Sequence, residues 1–221
     1  MNKIKYLAAA LTVIAGLGFQ QAKADSVSYF ISVGNPALSG FSGPYAQVTI
    51  TTTSANTATV TFTSLTNSGN IFLMAGQGAV GLNVNAASFS LGSVTGTNAG
   101  TGFSPGPYSN GGANNEDGFG SFNLTVDSFD GFMHSADSIS FTLTNNSGTW
   151  GSAANVLIAN GSGYVLAIHG FVTASPANSH GRVLATGYAA NGPMVPDGGA
   201  TVMLLGTALG ALGIARRYIR R

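Results

Sequence analysis

Several segments of this chain alternate strictly between apolar and polar residues, and this period of two constrains the fold more than any other feature. In TATVTFTSL, residues 57–65, Ala58, Val60 and Phe62 fall on one face and threonines fill the other. Successive side chains of a β-strand point to opposite faces, so the pattern predicts a strand with one buried face and one solvated face. The same alternation recurs in residues 46–53, 120–129, 137–145 and 163–174.

Turns rich in Gly, Asn and Ser separate these segments, and no segment between residues 25 and 193 has a convincing helical period. The pattern predicts an all-β fold, with residues 25–193 forming a single jelly-roll-like β-sandwich domain. Residues 92–118 are dominated by Gly and Asn, and this composition predicts a large surface loop. A loop of this length is either functional or disordered, and its low complexity favours a disordered one.

Charge is scarce and unevenly placed along the chain. Charged residues make up 7% of the sequence, and from residue 25 to residue 197 there are seven acidic residues against one basic residue, Arg182. This acidic balance argues against nucleic acid as a partner of the domain. The chain has no cysteine, so the domain has to be stabilised by its core alone.

The first 24 residues have the three parts of a secretory signal peptide. Lys3 and Lys5 precede an apolar run, and small residues at Ala22 and Ala24 supply a cleavage site. The sequence therefore predicts export, with an uncleaved membrane anchor as the alternative.

The chain ends in an apolar segment followed by arginines. Residues 198–215 contain no charge over 18 positions, a length that corresponds to about 27 Å of helix against a hydrocarbon core of about 30 Å. This pattern predicts a transmembrane helix, and a buried helix of a soluble domain is the alternative. The positive residues that hold the end of this helix in the cytoplasm are Arg216, Arg217, Arg220 and Arg221.

The stretch before this helix reads VPDGG, and the whole order of motif, apolar helix and arginine cluster resembles the PEP-CTERM family of bacterial sorting signals. The closest variant is VPDSG: Val195, Pro196 and Asp197 match it, Gly198 stands where the variant has Ser, and Gly199 completes the motif. The resemblance covers residues 194–221. It implies that an exosortase, a membrane-embedded processing enzyme, recognises the motif and removes the helix.

The resemblance also implies a location. The chain would pass through the inner membrane and reach the cell surface or extracellular matrix of a Gram-negative bacterium that makes exopolysaccharide. The motif would then be a substrate of the processing enzyme, which carries the catalytic machinery, and the chain itself is predicted not to be an enzyme.

Two glycine motifs match known catalytic or cofactor-binding patterns but lack a feature that each pattern requires. GFSPG at residues 102–106 matches the serine nucleophile elbow, but Pro105 lacks the N–H that the oxyanion hole requires. GQGAVG at residues 76–81 matches a dinucleotide-binding motif, but a strand-like segment follows it where a helix is needed, so it is interpreted as a turn.

Other residue types leave alternatives open. The three histidines, His134, His169 and His180, lack the spacing of a zinc motif, and the margin of the core or a sheet edge is their expected place. No cofactor is predicted, but oxygen ligands beside glycines suit calcium, and a solvated turn explains each of them equally well. The candidate calcium ligands are Glu116, Asp117, Asp127 and Asp130.

Three functional hypotheses follow. The first is a non-enzymatic surface or matrix protein, associated with exopolysaccharide or biofilm. The second is a carbohydrate- or calcium-binding adhesive module, for which the aromatic candidates, with the core as their alternative place, are Tyr45, Tyr108, Trp150 and Tyr188. The third is a secreted hydrolase that depends on His134 or His169.

Overall fold

In the computed structural model, residues 24–192 are described, and they form thirteen β-strands with three 3₁₀ helices of three residues each. The strands are β1 Ser26–Gly34, β2 Ala46–Ser54, β3 Thr57–Ser64, β4 Thr66–Asn67, β5 Asn70–Met74, β6 Val80–Leu82, β7 Phe89–Leu91, β8 Thr95–Thr97, β9 Tyr108–Glu116, β10 Gly120–Ser128, β11 Ser138–Asn145, β12 Leu166–Ala174 and β13 Ala185–Asn191. The 3₁₀ helices are Pro36–Leu38, Phe132–His134 and Ala153–Asn155.

The prediction of an all-β domain is confirmed. All five alternating segments form strands, namely β2, β3, β10, β11 and β12, with bounds within three residues of those predicted. In β3 the three apolar residues Ala58, Val60 and Phe62 are fully buried, as the alternation indicates. The predicted signal peptide and the predicted sorting segment, residues 194–221, lie outside the described residues.

The strands belong to one antiparallel sheet, in the order β7-β11-β3-β2-β1-β13-β12-β6-β10-β9. Strands β5 and β6 both pair with β12, β5 with its second half and β6 with its first half. Reciprocal hydrogen bonds between Met74 and Ala136, of 2.8 and 2.9 Å, tie β5 to the segment that leads into β11. The sheet therefore curls around its core and is nearly closed, like a barrel.

This architecture differs from the expected sandwich, in which two separate sheets face each other. Here β1 pairs with β2 on one side and with β13 on the other, so all the strands belong to one continuous sheet. The alternation of each strand is the same in both arrangements, because one face is buried in either case.

The core lies inside the curled sheet. Phe62 of β3 stacks on Phe141 of β11, with ring centroids 6.2 Å apart, and Tyr45 meets Phe72 edge-on at 4.8 Å. A smaller cluster, separate from this core, consists of Phe119, Phe122, Ala167 and Ala190.

Hydroxyl groups line the solvated face of β1, β2, β3 and β11 and bond across neighbouring strands. The side-chain oxygens of Ser26 and Thr51 are 3.1 Å apart, and those of Thr61 and Ser140 are 2.9 Å apart. Cross-strand hydroxyl pairs of this kind stabilise a sheet without any charge. This explains how the domain has a polar surface with so few charged residues.

The prediction of a disordered surface loop over residues 92–118 is wrong. This segment contains β8, which pairs with β11, and the nine-residue strand β9, which pairs with β10. Strand β9 is the last strand in the sheet order, and eight of its nine residues are exposed or only partly buried. A strand that buries no full face needs no apolar alternation, so its Gly- and Asn-rich sequence does not look like a strand.

Among residues 24–192, no helix is long and apolar enough to cross a membrane.

Candidate functional site

The connection between β5 and β6, residues 75–79, is a tight turn that we name the Gln77 turn. It contains most of the GQGAVG motif, and Gly76 and Gly78 have φ angles of +81° and +59°, which a residue with a side chain rarely adopts. The N–H of Gly78 donates a hydrogen bond to Oδ1 of Asp127 on β10, at 2.8 Å. The strand β6 follows, as the sequence predicted, so no helix N-terminus is present here to hold a phosphate.

Glu116 packs against this turn from the end of β9. Its side chain is only 1% exposed, and neither carboxyl oxygen has a hydrogen-bond partner within the protein. A Cβ atom on Gly78 would overlap its carboxyl group, and one on Gly81 would lie 3.2 Å from its Cγ. Burial, with a smaller contribution from the charge of Asp127, raises the pKa of Glu116 to about 8. The carboxyl is therefore mostly protonated at pH 7.

Tyr188 and His169 cover the outer side of the turn. Their rings stack with centroids 4.4 Å apart and planes at 14°. Burial raises the pKa of Tyr188, and the carboxyls of Glu116, Asp117 and Asp127 raise it further. The Tyr188 hydroxyl therefore stays protonated, with the Gln77 carbonyl 3.5 Å away.

His169 lies on β12, half-buried. Its Nε2 is 3.0 Å from Oγ1 of Thr186, and its Nδ1 is buried beside Gly76 without a hydrogen-bond partner. Burial lowers the pKa of His169, although the Gln77 carbonyl and Asp130 act in the opposite direction. The expectation of a histidine at the margin of the core matches this position.

Three of the four candidate calcium ligands, Glu116, Asp127 and the exposed Asp130, lie beside this turn. Asp117 instead accepts a hydrogen bond of 3.1 Å from Nδ2 of Asn35. Within residues 24–192, no three acidic or histidine side chains come together in a way that could hold a metal ion. Calcium takes six to eight oxygen ligands from carboxylates, carbonyls and waters. The acidic side chains at this turn do not supply that many by themselves.

The other two histidines have structural contacts. Nδ1 of His134 lies 2.9 Å from the carbonyl oxygen of Ser104 and 2.7 Å from that of Gly106, so it ties down the irregular segment that contains GFSPG. Nδ1 of His180 is 3.2 Å from the hydroxyl of Ser179, its neighbour in the chain. Neither contact gives an exposed serine nucleophile with a base and an orienting acid, which a hydrolase of the Ser-His-Asp type needs.

The four aromatic residues that the sequence offered for carbohydrate binding do not form a shared surface. Trp150 and Tyr45 are 5% and 4% exposed, Tyr108 packs partly against the core, and Tyr188 is stacked on His169. The indole N–H of Trp150 donates to the carbonyl of Asn85 at 2.9 Å, as expected of a core residue.

Sequence reasoning missed a row of half-buried rings on the outside of β12 and β13. Neighbouring rings have centroids 4.4 to 6.3 Å apart, and they meet stacked, tilted or edge-on. Each ring therefore gives part of its surface to a neighbouring ring. The row consists of Phe103, Phe132, Phe171, His169 and Tyr188. The only signal in the sequence is the i, i+2 spacing of His169 and Phe171.

Comparison with known proteins identifies the C-terminal segment of the chain as a sorting signal. Residues 194–219 match the VPDSG-CTERM motif, a PEP-CTERM-like exosortase sorting signal, which confirms the resemblance seen in the sequence. The signal implies export, processing by an exosortase-type enzyme and sorting to the cell surface. Neither a curated protein nor a solved structure matches the chain.

Proposed function

We propose that this chain, which carries a VPDSG-CTERM sorting signal, is a non-enzymatic component of the cell surface or extracellular matrix of a Gram-negative bacterium, where it associates with exopolysaccharide. The match to the signal at residues 194–219 is the observation that carries the proposal. In this proposal residues 1–24 are removed as a signal peptide, and the exosortase acts on the motif at Val195–Gly199.

The order of segments supports this route. The lysines before the first apolar run and the arginines after the last both favour the cytoplasm, so the domain between them is placed outside. Pro196 has no N–H, and Gly198 and Gly199 have low helix propensity, so the motif disfavours continuation of the apolar helix toward the domain. An extended peptide is the form in which a processing enzyme can reach the backbone.

The domain itself suits a matrix component. Its solvated sheet face is built of serine and threonine hydroxyls that pair across strands, and Arg182 is the one Lys or Arg residue between residues 24 and 192. A surface of hydroxyls can exchange hydrogen bonds with a polysaccharide without attracting polyanions.

Processing can be tested by intact mass and C-terminal peptide mapping of the protein from membrane, surface and medium fractions of the native host. We expect the surface and medium forms to lack everything after residues 195–199. Changing Pro196 and Asp197 to Ala should keep the tail and hold the chain in the membrane fraction, whereas Asp130→Ala, a matched change in the domain, should leave processing intact. A full-length tail in every fraction would make the helix a permanent anchor and overturn the proposal.

Association with exopolysaccharide gives a separate prediction. In a host strain that makes no exopolysaccharide, we expect the processed domain to move from the surface fraction to the medium while its C-terminal mass stays the same. Quantitative immunoblotting of the two fractions checks this. An unchanged distribution would contradict the exopolysaccharide association and leave the sorting route standing.

A further inference from the structure

The buried carboxyl of Glu116 is the least satisfied group among the described residues. Buried polar atoms nearly always have a partner, and both of its oxygens lack one within the protein. Two other unpaired buried atoms, Oγ of Ser128 and Nδ1 of His169, belong to residues that contact the same Gln77 turn. The unpaired groups therefore concentrate where the end of β9 packs on this turn.

The surroundings of Glu116 disfavour its charged form. Asp127 on β10 faces it, the hydroxyl of Tyr188 on β13 lies within range of its charge, and Asp117 is the next residue in the hairpin. The Gln77 turn and β6 contribute Gly78 and Gly81, which carry no charge. On β12 the nearest titratable group is His169, whose charge partner is Asp130. No cation offsets a carboxylate here, so ionisation would leave an unpaired charge beside a second one.

We propose that Glu116 is a proton-operated latch: the tip of the β9–β10 hairpin, residues 116–120, stays packed against the Gln77 turn only while this carboxyl is neutral, and loss of the proton releases that tip. The tip carries Phe119, which is 3% exposed and packs edge-on against Tyr164 with ring centroids 5.1 Å apart. Opening of the latch therefore uncovers the small cluster of Phe119, Phe122, Ala167 and Ala190. The latch goes beyond the proposed function and does not depend on how the chain is sorted.

The direction of the pH effect follows from proton linkage. In the closed state the pKa of Glu116 is about 8, and in the open, solvated state it returns toward 4.5, so the closed state binds the proton more tightly. The closed state is therefore fully favoured below pH 4.5 and loses its advantage as pH rises toward 8. Between those values the ratio of open to closed molecules should rise about tenfold per pH unit, and above pH 8 it should level off.

Amide hydrogen exchange of the full-length protein in detergent tests the latch. After correction for the intrinsic pH dependence of exchange, we expect the protection of the Gly78 and Phe119 amides to fall about tenfold per unit between pH 5 and pH 8. Amides in the centre of β3 should keep constant protection. In Glu116→Gln the Gly78 and Phe119 amides should lose this dependence, whereas in Asp25→Asn, which changes an exposed carboxyl just before β1, they should keep it.

Two results would overturn the latch. The first is protection at Gly78 and Phe119 that does not change with pH in the unmodified protein. The second is a dependence that survives in Glu116→Gln. If Glu116→Gln fails to fold, the carboxyl carbon of Glu116 can be titrated by NMR in the unmodified protein: a midpoint near 8 supports the latch, and one near 4.5 rejects it.

Discussion

Replacing Phe62 with Ala should lower the free energy of unfolding by about 3–5 kcal/mol. Phe62 is fully buried in β3, and its ring stacks on Phe141 at 6.2 Å. Removing the ring takes away its transfer free energy and leaves a cavity between two strands that pair over seven residues, so they cannot move together to fill it. Urea unfolding of the full-length protein, followed by the fluorescence of Trp150, measures the change, because Trp150 is the one tryptophan of the chain and is buried in the same core.

Phe30→Ala is the matched control for this prediction. Phe30 also lies in a central strand, β1, but its side chain is 53% exposed. Its removal should change the free energy of unfolding by no more than about 0.5 kcal/mol. Equal losses for the two variants would show that the inward and outward faces of the sheet have been assigned wrongly.

The alternation that identifies Phe62 also explains how much of the fold the sequence could predict. A strand between core and solvent has to alternate, and β2, β3, β10, β11 and β12 do so over most of their lengths. The register of the strands and the closure of the sheet could not be predicted from this alternation. They depend on which strand lies beside which, and the pairing of β1 with β13 joins residues about 160 positions apart in the chain. No local pattern carries that information.

Strand β9 shows that a strand can form without any apolar alternation. It lies at the edge of the sheet and pairs with β10 with two register irregularities, and its one fully buried residue is Glu116. Because it buries no apolar face, selection for folding does not impose apolar residues on it. Gly and Asn are tolerated there, and their frequency led to the wrong prediction of a disordered loop.

The candidate site could be predicted only in its separate parts. The sequence identified GQGAVG as a turn and Glu116 as a possible oxygen ligand, and both lie at the Gln77 turn. Their contact joins β9 to residues more than 30 positions earlier, through strands β10, β6 and β12. The burial that changes the chemistry of Glu116 comes from this contact, so a solvated turn was an equally good interpretation beforehand. The sorting signal, by contrast, is contiguous in sequence and could be identified without the fold.

Replacing Gly78 with Ala should lower the free energy of unfolding by about 2–5 kcal/mol, from two separate causes. Its φ of +59° disfavours any residue with a Cβ by about 1–2 kcal/mol, and the new methyl group would overlap the carboxyl of Glu116, an overpacking that costs about 1–3 kcal/mol. Urea unfolding monitored at Trp150 gives the total.

Two further variants separate these causes. Gly69 has a φ of +79°, and a methyl group added there would meet no atom within 4 Å, so Gly69→Ala should show the backbone cost alone. Adding Glu116→Ala to Gly78→Ala should recover the overpacking part, as a coupling energy of about 1–3 kcal/mol in a double-mutant cycle. If the two glycine variants were equally destabilised and the cycle showed no coupling, Glu116 would not lie against Gly78, and the close packing on which the latch depends would be absent.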